Sequence, residues 1–182
     1  MALRTLVKIG GITNLSDARY CAGMGVEMLG IGTIAGQPGF IAPSEFQEIR
    51  GWIAGPKIVA EIYGLKSSGD LETVISDYRP DYLELSAHEL ALLSSVPLPF
   101  ILTVDAEMPA GIDAKPVFVQ GNHYIKGYPC PFILRITSSD DLQKIENEPG
   151  IAGIAMMGSN EIRPGLKDYD HIANVLEALE VE

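Results

Sequence analysis

The sequence predicts a single (β/α)8 barrel domain over residues 1–182, trimmed so that the helices after strands 5 and 6 are short or absent. Eight short apolar runs alternate with helix-like segments, as in repeated strand–helix units around a parallel sheet. Eight parallel strands favour a closed barrel over an open sheet, and no Gly-x-Gly-x-x-Gly follows the first strand. The predicted strands are Leu3 to Ile9, Met28 to Thr33, Lys57 to Tyr63, Tyr82 to Ser86, Phe100 to Asp105, Pro116 to Gln120, Phe132 to Ile136 and Ile151 to Met157.

The helices predicted between these strands are uneven in length. Most begin at a polar residue that can cap a helix and continue with amphipathic spacing, and Ser16 is the expected cap of the first. On the second helix, Phe46 and Trp52 fall on one side and are expected to pack against the sheet. The candidate helices are Ser16 to Met24, Ser44 to Trp52, Ser68 to Tyr78, His88 to Ser94, Ser139 to Asn147 and Tyr169 to Leu179.

Two connections are too rich in glycine and proline to hold a helix, namely 106–115 and 121–131. A barrel without these two outer helices would leave apolar strand faces uncovered. Because exposed apolar patches favour association, the sequence predicts a homodimer.

Composition limits the classes of partner. The chain is 47% apolar and 20% charged, which excludes disorder, and its formal charge of −11 disfavours nucleic-acid binding. It has no apolar run of the roughly 18–20 residues that a membrane span requires and no signal-peptide pattern, so we expect a cytoplasmic protein with no membrane partner. The two cysteines and three histidines form no ligand motif. Neither a metal nor a cofactor is therefore expected.

The strongest motif is Lys8-Ile9-Gly10-Gly11-Ile12-Thr13, followed by Asp17-Ala18 and by Gly25-Val26-Glu27-Met28-Leu29-Gly30. It resembles the opening of the phosphoribosylanthranilate isomerase family of tryptophan biosynthesis, Lys-x-Cys-Gly-Ile-Thr, Asp-Ala and Gly-Ala-Asp-x-Leu-Gly. Near the C-terminus, Pro164-Gly165-Leu166-Lys167-Asp168 is similar to that family's Pro-Gly-x-Lys-Asp. The resemblance implies an Amadori rearrangement, in which an acid opens the ribose ring and a base removes a proton from the second carbon.

The same resemblance shows departures at the residues that carry this chemistry. The family's catalytic cysteine falls on Gly10, and its aspartate at the end of strand 6 falls on Gln120. The family's arginine after strand 2 corresponds to Gly39 of Gln37-Pro38-Gly39, and its Gly-Gly after strand 7 becomes Arg135-Ile136-Thr137. Both proton carriers of the family are therefore absent from their expected positions.

Four ionisable residues, Lys8, Glu61, Glu84 and Asp105, lie on otherwise apolar predicted strands, where charge is costly unless it is paired or functional. Lys8 is a candidate catalytic residue, although a structural ion pair with a carboxylate is the favoured interpretation. Glu61 and Asp105 are the candidate replacements for the missing acid or base, because burial can move the pKa of a carboxyl towards neutrality.

A phosphate site is predicted at Gly158, Ser159 and Asn160, which could present backbone N–H groups at the start of a short helix. An ordinary strand-to-helix turn is an equal alternative. Arg135, at the end of strand 7, could add a cation or could be a surface arginine.

Three functions remain open. The first is a phosphoribosylanthranilate isomerase-like protein that binds a phosphorylated small molecule with its isomerase activity lost or impaired. The second is an active isomerase with relocated acid and base residues. The third is a barrel with another phosphosugar reaction. Loss of one general acid or base costs about a hundredfold to ten-thousandfold in rate, which favours the first function.

Overall fold

Eight parallel strands close into a barrel in chain order, β1 next to β2 and so on until β8 pairs with β1. The computed structural model describes residues 2–105, 114–127, 129–146, 148–158, 161–163, 166–167 and 169–181. The barrel strands are β1 (Leu6–Gly10), β2 (Met28–Gly32), β3 (Lys57–Glu61), β4 (Tyr82–Ser86), β5 (Phe100–Thr103), β6 (Phe118–Gly121), β7 (Phe132–Arg135) and β8 (Ile151–Met157). A small antiparallel pair, β9 (Glu161–Arg163) and β10 (Leu166–Lys167), follows them. The predicted (β/α)8 fold is confirmed.

The helices follow from local capping signals. They are α1 (Leu15–Gly23), α2 (Pro43–Trp52), α3 (Ser68–Tyr78), α4 (Ala87–Ala91), α5 (Gln143–Glu146), which continues a 3₁₀ turn over Ser139–Leu142, and α6 (Asp170–Leu179). Ser67 and Asp70 form a reciprocal capping box at α3. The expected cap at Ser16 is wrong, because the Asn14 side chain accepts from the Asp17 amide and starts α1 earlier.

No helix occurs in the described residues between β5 and β6 or between β6 and β7, which agrees with the predicted trimming. The strand faces there are nevertheless covered. Leu102, Val119 and Leu134 are at most 2% exposed, and Tyr124 and Ile125 pack against the same core. The expectation of uncovered strand faces is therefore wrong. An exposed apolar face at these strands no longer supports the predicted homodimer.

In the second helix, α2, the expected packing of Trp52 against the sheet is wrong. Phe46 is fully buried, but Trp52 is 70% exposed. Trp52 is the last helical residue, and Ile53 after it turns inward in extended conformation to pack against the core. The inward position at this end of α2 is thus taken by the smaller residue.

The barrel interior consists of two layers that follow the two-residue period of the strands. An apolar layer near the N-terminal ends contains Met28, Val59, Ile101, Ile133 and Ala155, with Leu6, Tyr82 and Phe118 packed against it. Two residues further along each strand, the inward positions become mostly polar or glycine. This second layer lies at the C-terminal end, where (β/α)8 barrels hold their functional sites. No helix in the described part of the chain is both long and apolar enough to cross a membrane.

Candidate active site

Six strand residues form what we call the polar layer, at the C-terminal end of the barrel interior. Neighbouring strands bring them together in register, since Glu61 pairs with Glu84 and Thr103 with Gln120. Tyr63, in the loop after β3, adds its hydroxyl to the layer. The layer consists of Lys8, Glu61, Glu84, Thr103, Gln120 and Arg135.

Lys8 is the buried cation of the polar layer, with 2% of its side chain exposed. Its Nζ lies 2.6 Å from Oε2 of Glu84 and 3.1 Å from Oε1 of Glu61. Burial alone lowers the pKa of Lys8, but the charges of Glu84 and Glu61 outweigh it and raise that pKa above the ordinary lysine value. The predicted pairing of Lys8 with a carboxylate is confirmed, and Lys8 stays charged at neutral pH.

Glu84 is held as a permanent anion. The Tyr63 hydroxyl donates to its Oε1 at 2.6 Å, and Gln120 Nε2 donates to the same oxygen at 2.9 Å. Burial alone raises the pKa of Glu84, yet Lys8, Tyr63 and Arg135 together bring it below the ordinary carboxyl value. Since the single Tyr63 hydrogen goes to Glu84, the 2.7 Å bond between Tyr63 and Thr103 has Thr103 as its donor.

Glu61 differs from Glu84 in both access and protonation. Its side chain is 11% exposed, and among the described residues its donors besides Lys8 are limited to the Gly11 amide, at 3.3 Å. Burial, aided by the charge of Glu84, raises the pKa of Glu61 above the ordinary carboxyl value despite the nearby Lys8. Glu61 is therefore the partly exposed carboxyl of the layer, and its proton affinity is higher than that of an ordinary carboxyl.

Two glycines make the space that Glu61 fills. A Cβ added to Gly10 would lie 2.6 Å from Oε1 of Glu61, and one added to Gly30 would clash with the same oxygen. Real side chains at either position would displace the carboxylate. Glu61 thus occupies the place that a β1 side chain at position 10 would take, and this is the place of the cysteine in the resembling family.

The predicted site residues Asp105 and Gly158 do not belong to the polar layer. Asp105 is exposed in the turn after β5 and is not part of the polar layer. The Gly158 amide donates to the Gly10 carbonyl oxygen at 2.7 Å, so this N–H is already occupied. The predicted phosphate contacts Ser159 and Asn160 lie outside the described residues.

Arg135 enters the layer from β7 with a third of its side chain exposed. Its Nη2 lies 3.4 Å from the Tyr63 and Thr103 oxygens and 3.8 Å from Oε1 of Glu84. These long contacts leave the guanidinium available for another anion.

Sequence reasoning did not single out Tyr63 and Thr103. Each lies an even number of residues after an inward residue of the apolar layer: Tyr63 is four residues after Val59, and Thr103 is two residues after Ile101. The strand period would therefore have placed them on the inner face. In the sequence, Gln120 was identified only as the residue at the position of the missing acid. In the structure its Nε2 donates a hydrogen bond to Glu84, while its buried Oε1 has no hydrogen-bond partner in the described part of the chain.

Comparison with solved structures agrees with this architecture. Phosphoribosylanthranilate isomerase from Thermus thermophilus is 20% identical, with a TM-score of 0.70 over 96% of this chain and 98% of that one. The chain shares its fold with phosphoribosylanthranilate isomerases. A structure of a phosphoribosylanthranilate isomerase in complex with reduced 1-(o-carboxyphenylamino)-1-deoxyribulose 5-phosphate is 16% identical, with a TM-score of 0.70 over 95% of this chain and 97% of that one. A structure described as monomers of the dimeric Thermotoga maritima enzyme is 15% identical, with a TM-score of 0.69 over the same shares, 95% and 97%.

No protein-family model matches the sequence, and no curated protein matches it significantly. At the identities observed, the likeness concerns the fold of phosphoribosylanthranilate isomerase, not its chemistry. The resemblance seen in the sequence is thus confirmed for the fold, and the chemistry depends on the polar layer itself.

Proposed function

We propose that this protein binds a phosphorylated small molecule at the C-terminal end of its barrel, and that efficient isomerisation of phosphoribosylanthranilate is lost or impaired. One observation carries the proposal: the space of the missing cysteine at Gly10 is filled by a carboxylate in an ion pair with Lys8. Gln120, at the position of the missing acid, has an amide that cannot donate a proton as an acid. The two-carrier chemistry of the resembling family therefore lacks both of its groups.

Arg135 supports the binding half of the proposal. It is the partly exposed cation of the polar layer, and a guanidinium suits bidentate contacts with phosphate. The complex of a similar structure with a phosphorylated ligand agrees with such a role. Gly158, Ser159 and Asn160 remain proposed contacts on the basis of their sequence alone.

The first test is turnover of freshly generated phosphoribosylanthranilate, followed by loss of its fluorescence. We expect no rate above that of buffer, because a missing acid or base costs about a hundredfold to ten-thousandfold and both are absent. The Thermus thermophilus enzyme serves as the positive control. Turnover comparable to that control would contradict the loss of activity.

The second test is binding of D-ribose 5-phosphate by calorimetry, with D-ribose for comparison. We expect only the phosphorylated sugar to bind, and Arg135→Gln to weaken it by about tenfold to hundredfold, because a charge-assisted hydrogen bond contributes about 1.5–3 kcal/mol. Arg19→Gln, which removes an exposed arginine from α1, is the matched control and should leave affinity unchanged. Equal affinity for both sugars would refute a phosphate site.

A second function is favoured by the position of Glu61. Its carboxylate lies where a cysteine side chain would begin, and its raised pKa suits proton transfer, so it could replace the base of an active isomerase. In that case phosphoribosylanthranilate turnover would occur and Glu61→Gln would abolish it. Turnover that survives Glu61→Gln would exclude this second function.

Assembly and location remain proposals. The Thermotoga maritima relative is described as dimeric, which supports a homodimer. The likeness to phosphoribosylanthranilate isomerase structures agrees with the expected cytoplasmic location. Neither property enters the argument about the site.

A further inference from the structure

We propose that the polar layer is a one-base site, in which Glu61 moves a proton between adjacent carbons of an open-chain, phosphorylated hydroxyaldehyde. This rests on the proposed phosphate binding and adds a reaction to it. The reaction interconverts an aldose phosphate and the matching ketose phosphate, and it differs from the Amadori rearrangement because its substrate contains no amine and no closed ring.

The titratable groups around Glu61 keep their own charges, and Glu61 is therefore the candidate proton carrier. From β1 it faces Lys8 and from β4 Glu84, which in turn lies near Arg135 of β7, while β2 presents Gly30. Glu84 is held ionised by its donors. Among the described residues of the layer, Glu61 is thus the carboxyl that is partly exposed, accepts long hydrogen bonds from Gly11 and has a raised pKa, and we assign it the proton-carrying role.

Tyr63 does not supply a second carrier. Its hydroxyl donates to Glu84, and burial together with the charge of Glu84 raises its pKa far above the ordinary tyrosine value. Tyr63 therefore serves as a hydrogen-bond donor at neutral pH and not as an acid. A ring-closed substrate, which needs an acid to open it while a base acts on carbon, does not suit this set of groups.

The charge of the layer suits a carbanion-like intermediate. With Glu61 ionised, the layer holds two cations, Lys8 and Arg135, and two anions, Glu61 and Glu84. When Glu61 takes a proton from the substrate, the layer gains one positive charge as the substrate becomes an enediolate. A fixed positive charge in a site of low dielectric constant stabilises such an anion as it forms.

The steps balance without a further reactant. The C–H bond at carbon 2 breaks, its proton goes to the Glu61 carboxylate, and its electron pair forms the enediolate. The hydroxyl proton of carbon 2 passes to the neighbouring oxygen on carbon 1, and Glu61 returns its proton to carbon 1. The aldehyde carbon is thereby reduced and carbon 2 is oxidised to a ketone.

The experiment uses D-erythrose 4-phosphate in D2O, because its phosphorylated terminal oxygen prevents closure into a five-membered ring. Proton NMR would follow deuterium incorporation at carbons 1 and 2 and formation of the ketose phosphate. We expect exchange by the wild-type protein and a decrease of about a hundredfold or more in Glu61→Gln. Glu72→Gln, the same carboxyl-to-amide change at an exposed residue of α3, should exchange like the wild type.

A second measurement covers the case in which Glu61→Gln folds poorly by circular dichroism. Since ionised Glu61 is the base and its pKa is raised, wild-type exchange should rise with pH through a carboxyl pKa above the ordinary value and then level. A pH-independent rate would overturn the proposal. Equal exchange in wild type and a folded Glu61→Gln variant would overturn it as well.

Calorimetry on the same samples separates this proposal from the one on which it rests. Binding of D-erythrose 4-phosphate without exchange would overturn the one-base reaction and leave phosphate binding standing. Failure to bind this probe while D-ribose 5-phosphate binds would have the same meaning. Failure to bind either sugar phosphate would overturn both proposals.

Discussion

Lys8→Met is expected to lower the free energy of unfolding by about 3–5 kcal/mol, the cost of leaving buried charges without their partner. Lys8 lies within 2.6 Å of Glu84 and 3.1 Å of Glu61, and it is 2% exposed. Without it, two carboxylates would face each other across adjacent strands. Urea denaturation at neutral pH measures the loss, with the slope checked for a two-state transition.

The pH dependence of the same variant follows from the signs of the pKa shifts. In the wild type, Glu84 has a lowered pKa, so its stabilisation is present above the unfolded value of about 4.3 and is lost as the pH falls through the folded value. The pKa of Lys8 is raised, so its stabilisation is complete below about 10.4 and is lost as the pH rises through its folded value. Between these limits Lys8 and Glu84 support the fold, while the raised pKa of Glu61 makes its own contribution fall as the pH rises above about 4.3.

Removing Lys8 reverses the pKa shift of Glu84, which is lowered in the wild type, and increases that of Glu61, which is already raised. Both Glu61 and Glu84 would then have folded pKa values above their unfolded ones, so stability should fall as the pH rises from about 4 to about 7. Lys57→Met is the matched control, because Lys57 pairs with Asp81 at the surface, where such a pair contributes about 1 kcal/mol or less. A similar loss in both variants, or a pH-independent loss in Lys8→Met, would show that the layer does not hold charge as described.

The fold could be predicted from the sequence because each strand carries its own pattern. Apolar, β-branched runs of strand length recur eight times, and closure follows once all of them pair in parallel. The exposed position of Trp52 could not be predicted, because it depends on where α2 ends and not on helical spacing. The coverage of Leu102 and Val119 likewise depends on irregular segments that have no period to read.

The site could be predicted only in part, for a different physical reason. Lys8, Glu61 and Glu84 were recognisable because charge on apolar strands is costly. Their grouping depends on register across the closed barrel, and the sequence gives no direct measure of register. Asp105 carried the same signal as Glu61, but β5 ends at Thr103, so Asp105 falls in the turn and points to solvent.

Gly30→Ala is expected to destabilise the fold by about 3 kcal/mol, at the upper end of the cost of overpacking. Its Cβ would clash with Oε1 of Glu61 and lie 2.9 Å from the Gly10 Cα, and the backbone there cannot move away as a flexible side chain can. In a Glu61→Ala background the same change should cost less, so urea denaturation of the four proteins should give a coupling of about 0.5–3 kcal/mol.

Gly51→Ala is the control, since nothing lies within 4 Å of its Cβ and alanine in helix α2 should add up to about 1 kcal/mol of stability. Additive effects of Gly30→Ala and Glu61→Ala would mean that the carboxylate does not occupy the space between the two glycines, and the replacement of the missing β1 side chain by Glu61 would then be wrong.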